Sequence, residues 1–194
     1  MSRPHRGLLA AGLVLLVGAG LVAGEARPRG GVLGPVGPML AQVQWVRARL
    51  ARDAGLEGRS LALMESARDL DRGSDAAWSS LADHMGLTLS SAESGRAGEE
   101  RASWLTGALG VLAEGEAEVA HPDELAFHAG VLLMSHAETD PDLPFVDAVS
   151  GERGTLGLWT AAAGAFDHAA ELGHPDGESA AAFCRRAAAD PSGW

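Results

Sequence analysis

Residues 60–85 read SLALMESARDLDRGSDAAWSSLADHM, and the reading of this stretch decides the fold. Leu61, Met64 (or Leu63), Ala67 and Leu70 recur every three or four residues. After the break Asp71-Arg72-Gly73-Ser74-Asp75 a second series begins with Trp78, Leu81, Ala82 and Met85. Residues three and four apart share one face of an α-helix, so each series predicts an amphipathic helix with one face to bury. The break is short, and it joins the two by a tight turn.

The stretch resembles the junction between two tetratricopeptide (TPR) repeats. Ser60, Met64 and Ala67 stand where that family's second helix has its small, large and small residues. Arg72 stands where the family usually has proline. Counting on, Trp78, Leu81, Ala82 and Met85 fall on the slots for Trp, Leu, Gly and Tyr of the first-helix pattern W-x2-L-G-x2-Y. An alanine at a helix crossing lets two axes approach while a large residue fills the gap beside it. The resemblance implies an all-α fold of antiparallel helical hairpins wound into a superhelix, acting as a protein-binding scaffold. It names no partner, and an ordinary hairpin of an unrelated bundle carries the same spacing.

Composition agrees with helices. Hydrophobic residues make up 46% of the 194, but aromatics only 5%, and there is no Ile and no Tyr. Ala and Leu favour helix, while an extensive sheet would lack its β-branched and aromatic material. All 15 basic residues are arginine, so no lysine is present for a Schiff base or a phosphate-binding P-loop. A net charge of −11 argues against a nucleic-acid partner. One cysteine, Cys184, leaves no intrachain disulfide to form.

At the N-terminus, Arg3 and Arg6 precede an uncharged run over residues 7–24, GLLAAGLVLLVGAGLVAG. Eighteen residues at about 1.5 Å each reach roughly 27 Å, close to the hydrocarbon thickness of a bilayer. The run predicts a single transmembrane anchor with the main domain outside the cytoplasm. A cleaved signal, giving a secreted protein, is the alternative, with Ala23 and Gly24 acceptable to a peptidase. Glu25 stands where a lipoprotein signal requires cysteine, which excludes lipidation there. Residues 25–38, EARPRGGVLGPVGP, predict a linker, and residues 39–190 the helical domain.

Within that domain Leu40, Val43, Val46 (or Arg47) and Leu50 predict the inward face of a helix over 39–54, paired with one over 56–70. After Leu89 the polar segment SSAESGRAGEE lengthens the turn of the second repeat and delays its second helix to about Glu99. Further helices are predicted over 123–137, with Leu125, Ala129, Leu132 and Leu133 inward, over 156–172, and over 176–189. Ala162-x3-Phe166-x2-Ala169 is the best second-helix signature in the chain, and the segment around Gly173 also resembles Sel1-like repeats. Residues 139–154, with two prolines, predict a loop longer than most helix connections, and such loops are often functional.

Little chemistry is spelled out. Glu124 and His128 share a helix face with His136, so a metal-binding or enzymatic site over His121–His136 can be drawn as the competing reading. His128 and His136 are nevertheless about 12 Å apart, too far for one ion without ligands from other helices. Arg185 and Arg186 follow Cys184 directly and could lower its pKa, although an Ala-rich helix near the C-terminus is an ordinary packing site. No catalytic, cofactor or metal residue is therefore assigned. For a protein partner, the side of the 75–85 helix opposite Trp78, Ala82 and Met85 carries Ser79 and Asp83, which are the predicted contact residues. The expectation is a membrane-anchored scaffold, an accessory subunit of a larger assembly.

Overall fold

The computed structural model describes residues 33–190. The predicted anchor over residues 7–24 lies outside them, and no helix among the described residues is long and apolar enough to cross a membrane. All regular structure in that span is helical apart from one isolated bridge between Val146 and Arg153. The described chain divides into two units, one ending at Gly73 and the next beginning at Ser74, so the boundary falls inside residues 60–85.

The first unit is a helical hairpin of α1, Val36–Asp53, and α2, Glu57–Leu70. The helix starts three residues earlier than the 39–54 expected, which takes Val36, Gly37 and Pro38 out of the linker. Proline is tolerated there because the first four N–H groups of a helix have no intrahelical partner. At the other end, Gly55 N–H donates to the Arg52 carbonyl and Leu56 N–H to that of Ala51, both at 2.8 Å. This pairing needs a left-handed residue between helices, and Gly55 supplies φ +72°.

The inward face of α1 is not the predicted one. Gly37, Ala41, Ala48 and Ala51 are buried, while Leu40, Val43, Val46 and Leu50 are exposed. The two stripes are one residue out of step and both have helical period, so spacing could not choose between them. Close approach chose. Opposite them α2 buries Ser60, Met64 and Ala67, as expected, and the Ser60 hydroxyl donates to the Ala48 carbonyl at 2.9 Å. A Cβ on Gly37 would stand 2.5 Å from the Leu70 carbonyl oxygen, so the crossing admits only small groups.

In the second unit α3, Asp75–Asp83, widens into a π-helical segment, His84–Leu89, and a short 3-10 turn, Ala92–Ser94, fills the polar insertion. Four longer helices follow: α4, Gly98–Glu116; α5, Pro122–Thr139; α6, Gly154–Glu171; and α7, Gly177–Ala189. Each packs against its predecessor, except that α3 also reaches α5. Trp78, Leu105, Leu112, Leu125, Leu158, Trp159 and Phe166 are all buried in one cluster. Burying a large apolar side chain is worth about 1.5–3 kcal/mol, so this cluster is the main source of stability. Trp78 lies against Gly115, where an added Cβ would come within 2.7 Å of the indole. Ala162, Phe166 and Ala169 are buried on α6, as their spacing predicts.

Candidate functional site

The long loop over residues 140–153 is held at both ends by the core. Leu143 and Phe145 are buried, and Asp140 forms an ion pair with Arg101 of α4. The Gly154 N–H donates to the Phe145 carbonyl and the Asp147 N–H to that of Glu152, each at 2.9 Å, which closes the segment into a small antiparallel turn. The Asp147 carboxylate accepts from the Ser150 hydroxyl at 2.5 Å and from the backbone N–H groups of Ser150 and Val149 at 3.0 and 3.2 Å. Burial alone would raise the Asp147 pKa, but these hydrogen bonds favour the charged form and hold it below the ordinary carboxylate value.

The turn also leans on α6. The Thr160 hydroxyl donates to Glu152 at 2.5 Å, and the Thr155 hydroxyl to the Pro141 carbonyl at 2.7 Å. A Cβ at Gly157 would sit 2.6 Å from the Glu152 carbonyl oxygen, so glycine there is a condition of the close approach.

Beside the turn opens a cleft of about 630 Å³ whose floor is made of small residues, Ala161, Gly164 and Ala165 of α6 and Ala188 of α7. Asp147, Val149 and Ser150 form one wall, and an ion pair between Asp167 and Arg185 stands on another. Val149 is 96% exposed at the rim. A Cβ placed on Gly164 would meet nothing within 4 Å. The cleft is therefore apolar underneath, charged at its edges and open.

Ser79 and Asp83 lie elsewhere in this unit. Both are half-buried on α3, and both side chains already have partners. The Ser79 hydroxyl donates to the Asp75 carbonyl at 2.9 Å, and Asp83 is 2.7 Å from His128 Nε2. His136, two turns along α5, donates from Nε2 to the Gly86 carbonyl at 2.6 Å in the π-helical segment. His128 and His136 thus share a face, as the spacing predicts, and both tie α5 to the chain around Asp83. Glu124 faces His174 at 3.9 Å, and His174 stacks on Phe127 with ring centroids 3.9 Å apart.

Among the described residues, no group of three histidine, cysteine or acidic side chains is placed to hold a metal ion. Cys184 is fully buried, and burial first, then Glu138, pushes its thiol up to about 11 despite Arg185. The Arg185 guanidinium is turned to Asp167. A neutral, enclosed thiol at physiological pH is a packing group and a poor nucleophile.

No family model, curated protein or solved structure matches the chain. The functional reading therefore rests on geometry. The sequence located the loop by its length but not Gly164 or Asp167, and it set Arg185 beside Cys184 rather than beside Asp167. Their signal was the run of small residues over 161–165 facing an i, i+3 charge at Asp167, which reads equally well as an Ala-rich core helix.

Proposed function

We propose that the chain is a membrane-anchored helical scaffold of tetratricopeptide-like design that binds another protein, as an accessory subunit of a larger membrane-associated assembly. The cleft between the 140–153 turn, α6 and α7 carries this reading. Its floor of small residues suits aliphatic side chains, while Asp147 and the Asp167–Arg185 pair at its edges are held in place by the fold's own hydrogen bonds and ion pair. We put the binding surface here because the cleft is open over an apolar floor, whereas the expected contacts Ser79 and Asp83 are half-buried on α3. The anchor over residues 7–24 would hold this surface at the membrane outside the cytoplasm.

A photo-crosslinking residue at Ala165, in full-length protein recovered from native membranes, tests the assignment. One or a few discrete adducts are expected, absent when the same residue replaces exposed Ala113 on α4. Gly164→Leu in the crosslinking chain should abolish them without unfolding it. Adducts that persist through Gly164→Leu, or equal labelling from position 113, would remove the cleft from consideration.

A further inference from the structure

The first unit carries a surface that its own fold leaves uncovered. Met39, Val43, Val46 and Leu50 line one side of α1, with Val43 55%, Val46 61% and Leu50 63% exposed. The strip continues past the hairpin turn through half-exposed Leu56 into a shallow groove of about 230 Å³ between α1 and α2. Arg47 and Arg59 stand over that groove.

Charge in this chain is strongly partitioned. Between the apolar run and α2, residues 25–53 hold five arginines against Glu25 and Asp53, a net of +3, whereas residues 54–194 carry −16. A cationic segment that exposes an apolar strip has the composition of a helix lying in a bilayer interface, apolar side chains among the acyl chains and guanidinium groups at the phosphates.

We infer that α1 docks on an anionic lipid surface, with the Met39–Val43–Val46–Leu50 strip inserted and Arg47 and Arg59 against lipid phosphates. Two observations favour lipid over protein. Arg47 stands one turn from both Val43 and Leu50, at the edge of the strip; an arginine there can reach outward to a headgroup along its own aliphatic stem, whereas a paired copy would set a second Arg47 against it. The apolar run ends at Gly24, and the 11 residues 25–35 that separate it from α1 span at most about 40 Å, which keeps the strip beside any bilayer that takes that run. The inference shares with the proposed function only the membrane location, and it is independent of the cleft.

Because Cys184 is fully buried, an added surface cysteine can be labelled alone. Full-length Val43→Cys and Leu50→Cys chains, and a Glu65→Cys control on exposed α2 surface, would carry an environment-sensitive dye in vesicles of phosphatidylcholine alone or mixed equally with phosphatidylglycerol. Spin-labelled lipid should quench the dye at 43 and 50 but not at 65, and only in the anionic vesicles. Arg47→Glu with Arg59→Glu should lower the docked-to-undocked ratio about 25-fold or more, each charge near the surface being worth about fivefold. Water-exposed dye at 43 and 50 in anionic vesicles would overturn the inference. So would protection that persists without lipid alongside a doubled mass, which would assign the strip to a second copy. Unaltered crosslinking from the cleft in the double arginine variant separates failure here from failure of the proposed function.

Discussion

The two units solve the same packing problem with opposite residues. In the first, α1 and α2 meet through Gly37, Ala41, Ala48, Ser60 and Ala67, and most large side chains of α1 stay outside. In the second, two tryptophans, Phe166 and a series of leucines are enclosed. Small-residue contacts bring axes close but remove little apolar area from water, so the hairpin is positioned more than it is stabilised. The larger unit is stabilised by its cluster, which leaves its surface loop free to build a cleft. A helix that buries alanine and exposes leucine needs another surface for the leucine.

The largest effect should come from Trp78→Ala, which opens a cavity against Gly115 and Leu125 and costs about 3–5 kcal/mol in chemical denaturation. A loss below about 1 kcal/mol would mean that the second unit does not depend on its aromatic cluster. Next, Ala67→Leu in the hairpin should cost about 1–3 kcal/mol by overpacking, since Ala67 is fully buried opposite small residues. If leucine is accepted there without loss, the close-packed account of the first unit is wrong. Asp83→Ala removes the contact to His128 and should cost about 0.5–1.5 kcal/mol, a moderate loss that an unengaged surface carboxylate would not produce.

Smaller still is the acid response of the 140–153 turn. The Asp147 pKa is lowered in the fold, so its contribution is fully present above the ordinary carboxylate value and is lost as pH falls through the folded value. Amide exchange at Val149 and Ser150, corrected for intrinsic rates, should therefore accelerate only below about pH 4, and Asp147→Asn should show the fast exchange at neutral pH. Acceleration beginning near pH 6 would point to a histidine instead.

Much of the fold was legible because helices announce themselves by period. The helices from residue 57 onward lie within a few residues of expectation, and Met64, Ala67, Trp78 and Leu81 are buried as their spacing requires, while Leu61 and Leu70 are only partly buried. Three features were not legible, each for a physical reason. On α1 two apolar stripes of equal period competed, and Gly37 against the Leu70 carbonyl decided between them through a contact spacing cannot express. The π-helical widening at His84–Leu89 depends on one extra residue per turn, with Ser90 N–H reaching back to the Met85 carbonyl, and Gly86 fits there against Leu132 and Ala108 from distant helices. The cleft forms from absence, since the alanines and Gly164 that line it look in sequence like core. Asp83 illustrates the converse: its position opposite Trp78 was readable, but its partner His128 is 45 residues away.

The most direct measurement is the affinity for the crosslinked partner, once identified, of the wild-type chain and of Gly164→Leu. Leucine there enters open space and replaces a helical glycine, so the variant should fold as well as the parent or better, by up to about 1 kcal/mol. The account predicts loss of binding by tenfold or more at unchanged or increased stability. Binding retained within a factor of two, in a variant whose cleft is filled, would contradict it.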